Sequence, residues 1–216
     1  MAWYSWIFKA MTSAFARTVC PMRAPSARPA WRRVGNRPTV PDADRSAKRT
    51  GVTRYDALVI RTAWLTVEAV GDAGRREDAA LQGLRALLAK GPFVEVDYQA
   101  VADEQALIRS RPRVMADGDG VDLLFSCGGI GIGLRDRTPE ATREVIDREL
   151  PGLAERMRSV AGVPHPTMAL TRGVVGVRRG VLIVNLPSGA PIAEAALASV
   201  IDLLPEVVAS VRGATP

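Results

Sequence analysis

The chain is poor in the residues on which thiol, zinc and imidazole chemistry depend. Its 216 residues include two cysteines, Cys20 and Cys127, and one histidine, His165. Cysteines so far apart build no disulfide framework, and with a single imidazole they cannot complete a structural zinc site. Pro164 and Pro166 pin that imidazole in what reads as a loop, which leaves almost no room for Ser-His-Asp chemistry. Long apolar runs are missing as well. The longest, such as Val181 to Leu186, fall far short of the roughly 18 to 20 residues a membrane span requires, so a soluble, cytoplasmic protein with no membrane partner is expected. What is present is a 47% hydrophobic content, enough for a real core and incompatible with disorder of the whole chain.

Acidic residues are absent before Asp42, and that gap explains the net charge of +6. Residues 1–50 hold ten Lys/Arg against Asp42 and Asp44, a net of +8, so the other 166 residues sum to −2. The basic balance belongs to the leader, and a nucleic-acid groove across the folded part loses its main support. The leader has clustered arginines, five prolines and Trp3, Trp6 and Trp31, without sustained period after about Ala16. It reads as a poorly ordered extension. Its composition matches a transit peptide in general terms, with a short amphipathic helix available over Trp3 to Phe15. High Ala, Arg, Gly and Val usage points equally to an upstream start codon in a GC-rich gene.

From Tyr55 onward apolar strands alternate with amphipathic helices, the pattern of a layered α/β domain. Ala57 to Val67 is a near-continuous apolar run, expected of a strand covered on both faces. A helix is predicted from about Glu77 to Ala89, a strand over Phe93 to Val101, and a helix from Asp103 to about Met115 that Pro112 should kink or shorten. After a turn at Asp119-Gly120, Val121 to Cys127 is the clearest buried strand. A helical stretch over Pro151 to Val160, strand-like segments around Thr167 to Val177, a strand over Gly180 to Pro187 and a final helix carrying Leu197, Val200, Ile201 and Leu204 complete the expectation.

Between the strand ending at Cys127 and the next helix lies a glycine-rich loop, GGIGIGLRDRTPEAT. Glycines let backbone amides approach an anion, and a following helix, capped by Thr138 with Pro139 in its first turn, would add its positive end. Arg135 can neutralise phosphoryl oxygens and Asp136 can hold a magnesium ion, the usual companion of nucleotide phosphates. No Lys-Ser/Thr pair follows the glycines, so this is not a Walker loop, and its place in the chain does not suit a dinucleotide fingerprint. Asp103 and Asp78 each stand where a helix begins, a position that capping alone favours. Cys127 reads as a small core residue, Trp64 as core or subunit interface, and Arg178-Arg179 as a solvated turn.

The stretch SCGGIGIGLRDRTPEAT, Ser126 to Thr142, resembles the TTGGTGxxPRDxTPEAT signature of the molybdenum-cofactor biosynthesis family, which includes the bacterial MogA and MoaB proteins and the G domains of gephyrin and its plant counterpart. The resemblance continues through DRELPGLAERMR (Asp147 to Arg158), TRGVVGVRRGVLIVNLP (Thr171 to Pro187) and, upstream, LTVEAVGDAGRRED (Leu65 to Asp78) and VADEQALI (Val101 to Ile108). It covers about residues 55–213 and sets a molybdopterin-binding domain at 52–214 behind the 1–50 extension.

What the resemblance implies is a three-layer α/β/α sandwich with a mostly parallel central sheet, usually a homotrimer, that binds molybdopterin. The family's adenylyltransferases use Mg-ATP to place AMP on the molybdopterin phosphate, ahead of a molybdenum-insertion enzyme. Carried over by position, Asp136 and Asp103 become the catalytic acids, with Asp136 also holding Mg2+. Gly128, Gly129, Gly131, Arg135, Thr138, Asp78, Asn185 and Ser188 become phosphate or molybdopterin contacts. The departures are expected to cluster at the pocket. Glu68-Ala69 replaces Ser-Asp, Ala80-Leu81 replaces Ser-Gly, Cys127 and Ile130 replace threonines, and Ser188-Gly189-Ala190-Pro191 replaces Gly-Ser/Asn-Pro-Lys. Three functions follow: an adenylyltransferase, a paralogue that binds molybdopterin or partner proteins without turnover, or a nucleotide pyrophosphatase.

Overall fold

The structure, a computed structural model, describes residues 59–68, 79–118 and 120–213, with side chains in the second stretch from Leu81 onward. The leader, Ala69 and Asp78 therefore lie outside the described residues. A six-stranded sheet is the frame, its strands β1 (Ile60–Glu68), β2 (Phe93–Ala102), β3 (Leu123–Cys127), β4 (Arg148–Glu149), β5 (Val175–Arg178) and β6 (Val181–Leu186). Their order across the sheet is β2-β1-β3-β6-β5-β4. The pairs β1·β2, β1·β3 and β3·β6 are parallel, while β5·β6 and β4·β5 are antiparallel.

The period of two along these strands divides the core into two layers. Ile60, Trp64, Leu123, Phe125, Leu182, Val184 and Leu186 face α1 (Ala79–Leu88), α4 (Pro151–Gly162), α5 (Ala190–Ala198) and α6 (Leu204–Val211). Ala63, Leu65, Leu124, Val181 and Ile183 face α2 (Gln105–Asp117) and α3 (Thr138–Arg143). Helices thus cover both faces of the sheet, the three-layer α/β/α sandwich that the sequence predicts. Central strands in this setting have no wet face, and β3 and β6 are buried along their whole length. Trp64 is fully buried and stacks on Phe125, its register partner, with ring centroids 4.7 Å apart, which settles it as core. At the rim, β2 leaves Val94, Val96 and Tyr98 exposed.

Several elements differ from expectation. Pro112 does not shorten α2, which runs through it to Asp117 and begins only at Gln105, so that Asp103 precedes the helix. The segment around Thr167 folds as a 3-10 helix, Pro166–Leu170, before β5 begins at Val175. The final helix is two, because Pro205 lacks an amide hydrogen and closes off the preceding turn. A 3-10 turn, Ile201–Leu203, joins them, and Leu197, Val200 and Leu204 still share the core. Arg179 and Gly180, with φ of 45° and 89°, form a two-residue β5–β6 hairpin loop of the kind that needs positive φ at both positions. Arg178 is no solvated turn residue: it is buried, with two bonds to Asp117 of 2.8 and 2.9 Å and one to the Val145 carbonyl.

Candidate functional site

Chain order and sheet order together locate the site. From β1 the chain crosses to β2 on one side and returns past β1 to β3 on the other, so the connections diverge between β1 and β3 at the carboxyl ends of the strands. Open parallel sheets bind ligands at such a switch point. The glycine loop leaves β3 there. Asp103 leaves β2 at the same edge, its amide bonded to the Glu68 carbonyl at 2.8 Å, and the β6–α5 loop is joined to it by a 3.0 Å bond from Gly128 N–H to the Leu186 carbonyl.

Two glycines are required by the turn itself. Gly128 and Gly129 take φ of 99° and 66°, and a Cβ on Gly128 would come within 2.7 Å of the Val67 carbonyl oxygen. Past them, the amides of Gly129, Ile130, Gly131 and Ile132 make no hydrogen bond among the described residues. Successive loop amides with no protein acceptor can converge on an anion. The Asp136 carboxylate then closes a small turn, accepting from Gly133 N–H at 2.7 Å, in space that a Cβ on either Gly131 or Gly133 would invade.

The predicted residues sort clearly. Gly128, Gly129, Gly131, Arg135 and Asp136 share the loop, and Arg135 lies 3.6 Å from Asp103, so both acids come to one edge with a guanidinium between loop and strand. Ser188 is exposed on the adjoining β6–α5 loop. Thr138 differs from expectation. It does not cap α3, because its hydroxyl donates to the Gly128 carbonyl at 2.9 Å and its amide to Gly129 at 3.1 Å, tying the loop closed from beneath. With α3 only six residues long, the helix dipole adds little, and the loop amides supply the polarity. Asn185 is not turned toward a ligand either. It is buried, accepts from Val174 N–H at 3.0 Å, and donates to Ser126 Oγ at 2.6 Å and Thr142 Oγ1 at 3.0 Å, so its amide is spent inside the fold. Asp78 lies outside the described residues.

The departures do not plug the pocket as a group. Leu81 and Cys127 are buried in the helical core, and Ile130 lies behind the loop, against Gly173, where it lines a small half-open pocket with Met157 and Met168. Positions 127 and 130 face inward in this chain. Of the other altered side chains among the described residues, Ser188 and Pro191 are exposed and Glu68 and Ala190 are half-buried.

Arg172 was not anticipated. Its amide donates to the Ile130 carbonyl at 2.8 Å, its Nε to Gly131 at 2.7 Å, its Nη2 to the Asp136 carbonyl at 2.5 Å, and its Nη1 to Glu140. Burial works to raise the Glu140 pKa, but the Arg172 hydrogen bond and charge outweigh it and hold the carboxyl below its ordinary value. The usable signal in the sequence was an arginine inside an apolar stretch and followed by glycine: a Cβ at Gly173 would crowd Ile130 at 3.1 Å and the Asn185 carbonyl at 3.3 Å.

The fold, with a glycine-rich loop at the switch point of its mostly parallel sheet, defines an open α/β domain, and the chain belongs to the family described as "Probable molybdopterin binding domain", matched over residues 51–206. It is 38% identical over 120 residues to a molybdopterin adenylyltransferase of Helicobacter pylori, an alignment spanning 56% of this chain and 68% of that protein. The molybdopterin adenylyltransferase of Escherichia coli K12 is 34% identical over 131 residues, 59% of this chain and 67% of the relative. Among solved structures, the molybdopterin biosynthesis enzyme MoaB of Thermus thermophilus superposes with a TM-score of 0.67 at 45% identity, covering 72% of this chain and 98% of that one. Among the described residues no helix is long and apolar enough to cross a membrane.

Proposed function

We propose that the protein is a molybdopterin adenylyltransferase of molybdenum-cofactor biosynthesis, acting on molybdopterin and ATP through residues 52–214. The observation that carries this reading is the run of unpaired amides from Gly129 to Ile132 beside Asp103 and Asp136. In the reaction a molybdopterin phosphate oxygen bonds to the α-phosphorus of ATP, the bond from that phosphorus to the α,β-bridging oxygen breaks, and pyrophosphate departs with the electron pair. Phosphoryl chemistry of this kind asks the protein for alignment and charge balance rather than for covalent participation. The loop amides hold phosphoryl oxygens, Arg135 neutralises them at the exposed rim, and Ser188 lies within the same edge to orient the ligand.

Magnesium fits this donor set only as an ion carried by the nucleotide. Among the described residues no three His, Cys, Asp or Glu side chains cluster as a metal cage, and Mg2+ on a nucleotide needs just one or two carboxylates besides phosphate and water. Asp136 would hold it, with Asp103 nearby, and when bound it would screen charge on the transferring phosphoryl group. A homotrimer, a cytoplasmic location and delivery of product to a molybdenum-insertion enzyme belong to the same reading, and light scattering of the purified protein tests the first.

The decisive experiment incubates the full chain with molybdopterin, ATP and magnesium and measures adenylylated molybdopterin and pyrophosphate. Product is expected from the wild type, and Asp136→Asn should lower the rate about 100-fold, the scale of losing one group aimed at transition-state charge. Binding of molybdopterin with no product from the wild type would overturn the enzymatic reading and leave a binding protein. Hydrolysis of ADP-ribose or NAD in its place would point to a pyrophosphatase.

A further inference from the structure

A loop that offers its amides to an anion has to keep its carbonyl oxygens away from the same space, because each carries partial negative charge and needs a donor of its own. In the segment 130–136 one residue meets part of that need at both ends of the loop. The Arg172 side chain takes the carbonyls of Gly131 and Asp136 and pairs with Glu140 on α3, while its backbone amide takes the carbonyl of Ile130, so its partners lie at the start of the loop, at its end and on the following helix. A guanidinium is suited to this work, having five N–H groups in a rigid plane; an ammonium has three donors on one point and cannot hold two carbonyls and a carboxylate in a fixed fork. Glu140 offsets the charge of the guanidinium, so the contribution of Arg172 to the site is geometric more than electrostatic.

We propose that Arg172 is a positioning residue of the anion site: it fixes the carbonyl edge of residues 130–136 and thereby keeps the amides of Gly129 to Ile132 open to a phosphate. The identity of the ligand rests on the adenylyltransferase reading; the loop geometry does not.

The test uses the full chain with inorganic pyrophosphate and Mg-ATP as probes, by calorimetry well below each variant's unfolding temperature, together with amide hydrogen exchange. Arg172→Lys, which keeps the charge and loses the fork, should weaken both probes about tenfold and speed exchange of the bonded loop amides of Gly133, Asp136 and Thr138 about tenfold, while β3 and β6 keep their protection. Glu140→Gln leaves the bonds to Gly131 and Asp136 in place and uncovers the charge, so it should tighten pyrophosphate about threefold. Wild-type affinity and loop exchange in Arg172→Lys would overturn the proposal. So would an affinity loss that follows a general loss of protection in β3 and β6, since that marks a role in stability alone, and so would equal weakening by Glu140→Gln. If the wild type binds neither probe, the adenylyltransferase reading fails, and the exchange of the loop amides still decides the role of Arg172.

Discussion

The two edges of the parallel strands are both rich in charge, yet they are built for opposite ends. At the amino edge Asp122 is buried, accepts from Arg61 through the backbone amide, Nε and Nη2 at 2.7 to 2.9 Å, and also pairs with Arg212. Beside it, Asp117 is shared by Arg178 and Arg179. At the carboxyl edge Arg172 and Glu140 make one close pair behind the loop, Arg135 stands 3.6 Å from Asp103 at the rim, and four loop amides have no acceptor among the described residues. Charge alone does not tell the two edges apart; the loop amides without a protein acceptor lie at the carboxyl edge, the edge for which the ligand is proposed.

Swapping single acids should break this comparison most sharply. Asp103→Asn is expected to cut adenylylation about 100-fold and to cost less stability than Asp122→Ala, since Arg135, at 3.6 Å, is an exposed partner. Asp122→Ala should do the reverse: about 3 kcal/mol lost in urea unfolding, with the turnover of the folded protein retained. That figure stands at the low end for a broken buried pair because Arg61 and Arg212 remain partly hydrated. If Asp122→Ala spares stability, the amino edge is not the anchor inferred here.

Asn185→Ala comes next, at about 2 kcal/mol, because it orphans the Val174 amide and removes the partner of two buried hydroxyls. The same substitution in a surface loop would be nearly silent. Acid sharpens the contrast further. Burial works to raise the Asp122 pKa, but the hydrogen bonds from Arg61 and Arg212 outweigh it and the net shift is downward. A carboxyl held below its unfolded value contributes stability that is fully present above about pH 4 to 5 and is lost as pH falls through the folded value. Urea midpoints at pH 6, 4 and 3 should therefore fall in the wild type and fall less in Asp122→Asn. The smallest effect belongs to Leu134, 92% exposed on the site loop: Leu134→Ser should change stability by less than about 0.5 kcal/mol.

The strands β1, β3 and β6 were legible in the sequence because burial on both faces forces an apolar run that no loop sustains. The loop was legible because its glycines answer to local backbone geometry. Arg178, Asn185 and Arg172 were not, and for one reason. Each polar side chain finds partners on elements far away in the chain, such as Asn185 with Ser126 and Thr142, 59 and 43 residues distant, and no spacing rule in one strand or helix announces such a meeting. The turn at Thr167 was also misjudged, where a short element follows tertiary contacts rather than period. Position in a family motif marked Asn185 as important, but only its hydrogen bonds show that the importance is internal.

Trp64, sealed between neighbouring strands and stacked on Phe125, gives the domain a built-in optical reporter. Its indole emission should lie to the blue in the native sheet and move to the red when β1 and β3 part, so that fluorescence would follow the centre of the sheet directly. The remaining tryptophans all fall within the first 31 residues, and replacing those three by phenylalanine would leave a single chromophore watching one strand pair.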